Sequence, residues 1–394
     1  MHPLHGTLMR YSWGTHHFIP ALLGQPEDGQ PVAEYWLGAH ASSPARIDGT
    51  TLDAAIAADA SLLGPRAAGA FGGQLPYLVK VLSARHALSL QAHPSRELAR
   101  EGYAREEAAG IELTSPSRTY RDDWPKPEVL VALTEFHALS GFREPLATAA
   151  LVSALGVGEV AAPMTGPLTQ RSGSAALAEV FLELLSHDGD RQELVNHVLA
   201  AAVGHRDHPG PLGDFARTAL ELDETFPGDP GILAALLLNR VTLQPGEALF
   251  VDHGTMHAHL RGSGIEVMGA SDNVVRGGLT SKHIDVDELV RIVDFSPARP
   301  RVLAPDRVGP GVWAYRTPCP EFAVWRVEPP AGGVVLPGDA SARIVLVTRG
   351  TVMLTAGDHT LGLARGEAAF LPATDARVTA SGDAELFLSA PGVR

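Results

Sequence analysis

The stretch LQPGEALFVDHGTMHAHL, residues 243–260, decides how this chain is read. Its first eight residues, Leu243–Phe250, are echoed by LARGEAAF at Leu363–Phe370. Each copy reads as a strand, a turn carrying Gly246 or Gly366, and a second strand. Antiparallel hairpins of this kind build jelly-roll barrels. The expected fold class is therefore mainly β, with two jelly-roll barrels. The copies diverge seven residues after the phenylalanine, at His257 in the first and Arg377 in the second. DHGTMHAH brings His253, His257 and His259 into the first copy, whereas PATDARVT in the second has neither His nor Cys. If the two barrels are related, only the first is equipped to hold a metal.

The first 140 residues read mostly as strands punctuated by Pro, Gly and Ser. A short helix is expected after His93, with Ser95 as N-cap and Glu97 in its first turn. KPEVLVAL at 126–133 returns to strand. PLATAALVSALG, SAALAEVFLELLSHDGDRQELVNHVLAAAV and GDFARTALELDETF are Ala/Leu-rich with apolar spacing near 3.6, the mark of amphipathic helices. The expected organisation is a catalytic barrel whose first part is 1–142, a helical insert at 143–240, the second part of that barrel at 241–300, and a metal-free C-terminal barrel at 301–394. SPARPRVLAPDRVGPG links the two barrels.

Thirty-one basic against 45 acidic residues give the 394-residue chain a formal charge of −14. That sign argues against nucleic acid and anionic membranes as partners. The longest apolar run, near GILAALLL, falls far short of the ~20 residues that span a bilayer. The start, MHPLHGTLMRYSWG, lacks the apolar centre of a signal peptide. A single cysteine, Cys319, excludes an internal disulfide and a Cys-rich zinc site, and carries no assigned chemistry. The expected location is cytoplasmic; a monomer is compatible with the sequence, which does not disclose oligomeric state. Only three of the basic residues are lysines, Lys80, Lys126 and Lys282, and each falls in a segment selected on other grounds.

Those segments are read by strand alternation. In ALSLQAHP, Ser89, Gln91 and His93 share one face, and Leu88, Leu90 and Ala92 the other. Lys126 and Glu128 share a face opposite Val129, Val131 and Leu133. His257 and His259 share a face, and after an RGSG turn Glu266 stands between Ile265 and Val267. SDNVVRGGLTSKHID holds Asp272, Asn273, Arg276, Gly277-Gly278 and Lys282 and reads as a polar loop at a site lip. Gln91, His93, Glu128 and His257 together offer two imidazoles, a carboxylate and an amide oxygen. Zinc accepts such N and O ligands, and octahedral Fe or Mn is also compatible. Lys80, Lys126, Arg276 and Lys282 would surround the ion with positive charge on an acidic chain. That asymmetry points to a small anionic substrate, with phosphate the natural candidate.

Taken together these segments resemble type I mannose-6-phosphate isomerase (phosphomannose isomerase), a zinc-dependent cupin family. The anchors are YSWG at 11–14, AEYWLGAHASSPA at 33–45, LPYLVKVLSARHALSLQAHP at 75–94, KPEVLVAL at 126–133 and IEVMGASDNVVRGGLTSKHIDV at 265–286. The resemblance implies one zinc per chain, held by Gln91, His93, Glu128 and His257. It favours His257 over His253 and His259, which spacing leaves open. It places Arg276 beside the reacting carbons and gives Lys126, Glu266 and Asp272 to proton handling or sugar contacts. It makes Lys80, Ser89 and Lys282 the phosphate-binding group and Trp13 a pocket aromatic. The implied reaction is interconversion of mannose 6-phosphate and fructose 6-phosphate through a cis-enediol. Alternatives are an isomerase of another phosphorylated aldose, a cupin oxygenase using Fe(II), or a non-catalytic sugar-phosphate sensor. The chain departs from the family at His259, where Tyr is common, and at Trp124-Pro125, where an Asn-His-type stretch is common. His16, His17, His40, His86, His137 and His283 are read as surface or structural.

Overall fold

The computed structural model describes residues 1–171, 173–185, 190–375 and 377–393. Its largest sheet is organised by one strand of 13 residues, His257–Gly269. The C-terminal half of that strand lies between Tyr77–Ala84 and Glu128–Ala132. Glu34–Gly38 and Thr7–Met9 extend the sheet beyond the first neighbour, and Ala248–Val251 and Arg301–Leu303 beyond the second. The N-terminal half pairs instead with Phe136–Phe142 and, at His257, with Leu90–Ala92. Leu238–Leu243 and Val275–Gly278 complete this second layer. The strand thus passes from one layer to the other.

The passage corrects the expected RGSG turn: Arg261–Gly264 lies inside the strand. A register shift between His259 and Arg261 and a φ of +121° at Gly262 bend the chain without ending it. A Cβ at Gly262 would sit 2.6 Å from the Glu135 carbonyl, so glycine is required there.

The repeat at 243 and 363 is real, but it does not form hairpins. Leu238–Leu243 pairs with Phe136–Phe142, whereas Ala248–Val251 pairs with Glu128–Ala132 and Arg301–Leu303. In the second copy His359–Ala364 pairs with one end of Arg343–Ala356, and Ala368–Leu371 with the other end and with His2–Leu4. Each copy is a corner where the chain changes layers. Gly246 and Gly366 take φ of +90° and +86°. In both corners a glutamate caps the turn: Glu247 accepts from the Gln244 N–H at 2.8 Å, and Glu367 from the Ala364 N–H at 2.7 Å.

Strand alternation then sorts the side chains. Val79, Val81, Val129, Val131, Ile265 and Val267 turn outward and pack with Tyr315, Ile344, Leu346, Phe370 and Phe387 of the C-terminal sheet. Leu90, Ala92, Leu139, Ala258, Leu260 and Val275 turn outward from the second layer into a core shared with the helices. Those helices are Pro145–Ala154, Ala162–Gln170, Gly173–Leu185, Asp190–His205, Pro211–Thr225 and Gly231–Ala235. The SHDG segment of the expected helices, at 186–189, lies outside the described residues. Between the two layers, Leu82, Leu130, Phe136, Ala138, Val241, Leu243 and Leu249 form an apolar plug.

Ser95 caps the helix Arg96–Ala108 as expected, its Oγ accepting from the Leu98 N–H. Three short helices, Phe18–Leu22, Leu52–Ala58 and Pro65–Ala70, interrupt the region read as strands. They are too short to carry an apolar stripe of helical period. The loop expected at 271–285 contains the strand Val275–Gly278. No helix among the described residues is long and apolar enough to cross a membrane.

Candidate metal centre and active site

The inner faces of the two layers carry the polar residues, beside the apolar plug. Glu128 opens the strand Glu128–Ala132, after two prolines that keep the preceding backbone out of regular pairing. His257 opens its own strand, and His93 follows Leu90–Ala92. The His93 Nε2 lies 3.1 Å from Glu128 Oε1, and the His257 Nε2 lies 3.3 Å from Glu128 Oε2. The two imidazole centroids are 5.1 Å apart. Ligand atoms of all three residues fall within 4.8 Å of one another, and all three side chains are buried.

Both rings are held from behind. His93 Nδ1 faces the Asn273 carbonyl at 2.8 Å, and His257 Nδ1 faces the Thr255 carbonyl at 3.0 Å. A carbonyl accepts only, so Nδ1 carries the proton and Nε2 presents its lone pair inward. His93 Nε2, His257 Nε2 and Glu128 Oε2 are buried without a hydrogen-bond partner. Orphaned buried polar atoms are costly. Two inward lone pairs and a carboxylate oxygen meeting at one point are matched by a divalent cation. Burial lowers the His93 pKa to about 4, keeping the ring neutral as a ligand must be. Burial alone would raise Glu128, but Lys126 and the histidines outweigh it and hold the carboxyl well below its ordinary range.

Gln91 stands opposite His257 on one side and Arg276 on the other. Direct cross-strand neighbours project to one face. The register therefore gathers Gln91, His257 and Arg276 on the inner face. Lys126 Nζ is 3.2 Å from Glu128 Oε1.

A second group adjoins the first. Lys80 Nζ lies 3.2 Å from Glu34 Oε1, 3.5 Å from Glu266 Oε2, and 4.8 Å over the Trp36 ring. Burial opposes its charge, but Glu34, Glu266 and Glu128 outweigh burial and raise its pKa. Glu266 is pushed up to about 7 by burial, countered by Lys80 and reinforced by Glu128. His259 Nδ1 is 3.7 Å from Glu266 Oε1.

The rim is set by Asn273, whose side chain clasps the 121–124 segment. Its Nδ2 donates to the Asp122 and Trp124 carbonyls, both at 2.9 Å, and its Oδ1 accepts from the Arg121 N–H at 2.8 Å. Asp272 Oδ1 lies 3.4 Å from His40 Nε2, and Asp122 Oδ2 accepts from the Asp272 N–H at 2.9 Å. Burial would raise Asp272, but His40 and the nearby lysines hold it lowered. His40, Arg121, Trp124 and Asp272 border a cavity of about 550 Å³.

Arg276 and Lys282 form a cationic rim with Arg121. Lys282 is lowered first by Arg276, then by burial, and Arg276 by burial and then by Arg121. Among the described residues none of these three side chains has a carboxylate within ion-pair distance. Lys80 and Lys282, expected to share one phosphate, stand in different surroundings: Lys80 among carboxylates, Lys282 among arginines. Ser89 precedes the strand Leu90–Ala92. Trp13 stacks on Tyr11 with centroids 5.7 Å apart, and Tyr11 feels the charges of Glu34, Lys80 and Asp272. His253 pairs with Asp252 at 2.8 Å and is not among the converging ligand atoms.

Sequence reading missed Tyr11, Glu34, Trp36 and Arg121, and read His40 as surface or structural. Glu34 and Trp36 alternate along Glu34–Gly38 as the other site residues do along theirs, so the same period-two reading of AEYWLGAH would have found them. Asn273 was noted only as part of a polar loop; nothing in the sequence signals its clasp.

Residues 1–145 match the family described as phosphomannose isomerase type I, catalytic domain. The chain is 35% identical over 395 residues to mannose-6-phosphate isomerase of Escherichia coli strain K12, covering 98% of each. It is 33% identical over 407 residues to the Rattus norvegicus mannose-6-phosphate isomerase, covering 95% of this chain and 93% of that one. Apo mannose 6-phosphate isomerase from Salmonella typhimurium superposes with a TM-score of 0.90 at 34% identity, over 100% of this chain and 99% of that one. A zinc-bound holo structure of mannose 6-phosphate isomerase gives 0.89 at 33% identity, with the same coverage. With two inward imidazoles bracketing a buried glutamate, and likeness running the length of the chain, the protein belongs to the type I mannose-6-phosphate isomerase family.

Proposed function

We propose that this chain interconverts mannose 6-phosphate and fructose 6-phosphate, holding one zinc ion with Gln91, His93, Glu128 and His257 inside the first of two cupin-type barrels. The observation that carries the reading is the convergence of three buried, unpartnered ligand atoms from His93, Glu128 and His257. When bound there, zinc supplies a Lewis acid that polarises the sugar's carbonyl and hydroxyl oxygens.

The chain's own residues do the rest. The proton on the carbon beside a sugar carbonyl is weakly acidic, so its transfer needs a base and a stabilised neighbouring oxygen. Arg276, a permanent cation facing the same side as Gln91, stabilises the cis-enediolate. Lys126 is a proton donor at the edge of the metal cluster, and Glu266, raised by burial, accepts and returns a proton near neutral pH. Asp272, kept ionised by His40, serves ring opening at the rim, where Pro125 leaves no histidine. Lys282, with Arg121 beside it, meets the phosphate, and Ser89 and the Trp13–Tyr11 stack line the approach. Lys80, tied between Glu34 and Glu266, tunes the proton-transfer group; its surroundings favour that over phosphate binding.

The test is a coupled assay for fructose 6-phosphate formation from mannose 6-phosphate, before and after chelation. Turnover that vanishes with the metal and returns with zinc is the expected result. Turnover unaffected by complete metal removal contradicts the reading.

A further inference from the structure

A second cluster of metal-ligating groups stands against the first. Ligand atoms of Glu128, His259 and Glu266 lie within 4.8 Å of one another, and all three residues are buried. His259 is 2% exposed, and its Nδ1 has no hydrogen-bond partner. That nitrogen faces Glu266 Oε1 at 3.7 Å, while the other oxygen of Glu266 faces Lys80. The two sets use different imidazoles, His257 in the first and His259 in the second, with ring centroids 6.1 Å apart. Phe136, 5.3 Å away, backs the His259 ring edge-on.

We propose that Glu128, His259 and Glu266 form a second divalent-cation site, which shares Glu128 with the first. Donor atoms around a tetrahedral zinc lie about 3.3 Å apart, so modest inward side-chain shifts close this set. Charge makes it the weaker of the two. Glu34, Glu128 and Glu266 against Lys80 and Lys126 leave the metal-free cluster with one net negative charge, which a first zinc already reverses. A second ion on Glu266 Oε1 also meets the Lys80 ammonium, which the other oxygen of the same carboxylate holds at 3.5 Å. Its seat depends on histidine at 259, in the HAH of this chain.

The consequence for turnover rests on the reading of Glu266 as a proton-transfer group: excess zinc ties up Glu266 and inhibits. The binding test does not need that reading. Metal-free full-length protein is titrated with zinc by calorimetry, and bound metal is counted after equilibrium dialysis. The wild type is expected to take one zinc tightly and a second at least tenfold more weakly. His259→Tyr and His259→Gln each keep the first equivalent and lose the second, and both resist inhibition by excess zinc. His257→Ala loses the tight equivalent instead, so failure of the first site is read separately from failure of the second. Wild-type saturation at one equivalent overturns the proposal. So does a second equivalent that survives both His259 replacements, which would then sit on surface groups such as the Asp252–His253 pair.

Discussion

Lys126 and His93 converge on one atom: Lys126 Nζ lies 3.2 Å from Glu128 Oε1, and His93 Nε2 lies 3.1 Å from the same oxygen. In the absence of metal the lysine neutralises the carboxylate that zinc would claim. Replacing Lys126 with Met therefore removes a competitor for Glu128. The expected outcome is zinc affinity equal to or above wild type, with kcat reduced by roughly 10²–10⁴, the range of a lost general acid or base. Metal titration and turnover of the same preparation check it.

Arg276→Ala keeps the fold and one zinc, since the side chain is only partly buried and makes no ion pair among the described residues. Loss of a transition-state stabiliser of this kind costs about 10²–10³ in kcat, with a smaller change in KM. Steady-state kinetics beside zinc content decides; near-normal kcat removes Arg276 from the chemistry.

If Lys282 meets the substrate phosphate, as proposed, Lys282→Met raises KM for mannose 6-phosphate more than it lowers kcat. Raised ionic strength weakens wild-type kcat/KM and has less effect on the variant, because the exposed rim charge is the one that salt screens. Free mannose turns over poorly in both proteins.

Buried titrating groups set the pH dependence. Glu266 has its pKa raised to about 7, so its base form grows as pH rises through 7. The kcat/KM profile should climb across that range, and Glu266→Gln should flatten the limb while reducing activity. Stability of the metal-free protein follows His93, whose folded pKa of about 4 lies below the unfolded value near 6.5. Between those values the unfolded chain binds more protons, so this contribution is present above pH 6.5 and is lost as pH falls toward 4. Urea midpoints measured across pH 4–7 on wild type and His93→Gln check the sign: the slope should be shallower in the variant.

Asn273→Ala tests the support behind the ligands. It removes the clasp on 121–124 and loosens the loop whose carbonyl orients His93. Second-layer partners of metal ligands are worth 10- to 100-fold in affinity, and zinc should weaken by that factor. A change confined to kcat would show that the clasp does not reach the metal.

Much of the site was legible because strands alternate. Gln91, His93, Lys126, Glu128, His257 and Glu266 stood out as polar residues facing opposite to Val, Leu or Ala, and the structure gathers His93, Glu128 and His257 at one point. The repeat at 243 and 363 was also readable, but its pairing and the capping role of its glutamates were not. A Gly turn between two strands looks the same whether they pair with each other or with separate layers, because the choice depends on Phe136–Phe142 and Glu128–Ala132, far away in sequence. RGSG was misread for the converse reason, since glycines that permit a turn also permit a bulge inside a strand. The Asn273 clasp and the different neighbours of Lys80 and Lys282 are products of tertiary packing and leave no local pattern.

Zinc dependence is tested by restoring zinc stepwise to chelator-treated protein and following isomerase turnover with bound metal. Activity should rise in proportion to metal and reach its maximum at one equivalent per chain, and His257→Ala and Glu128→Gln should fail to regain it at that stoichiometry. Full turnover without metal, or recovery by both variants at one equivalent, would contradict it.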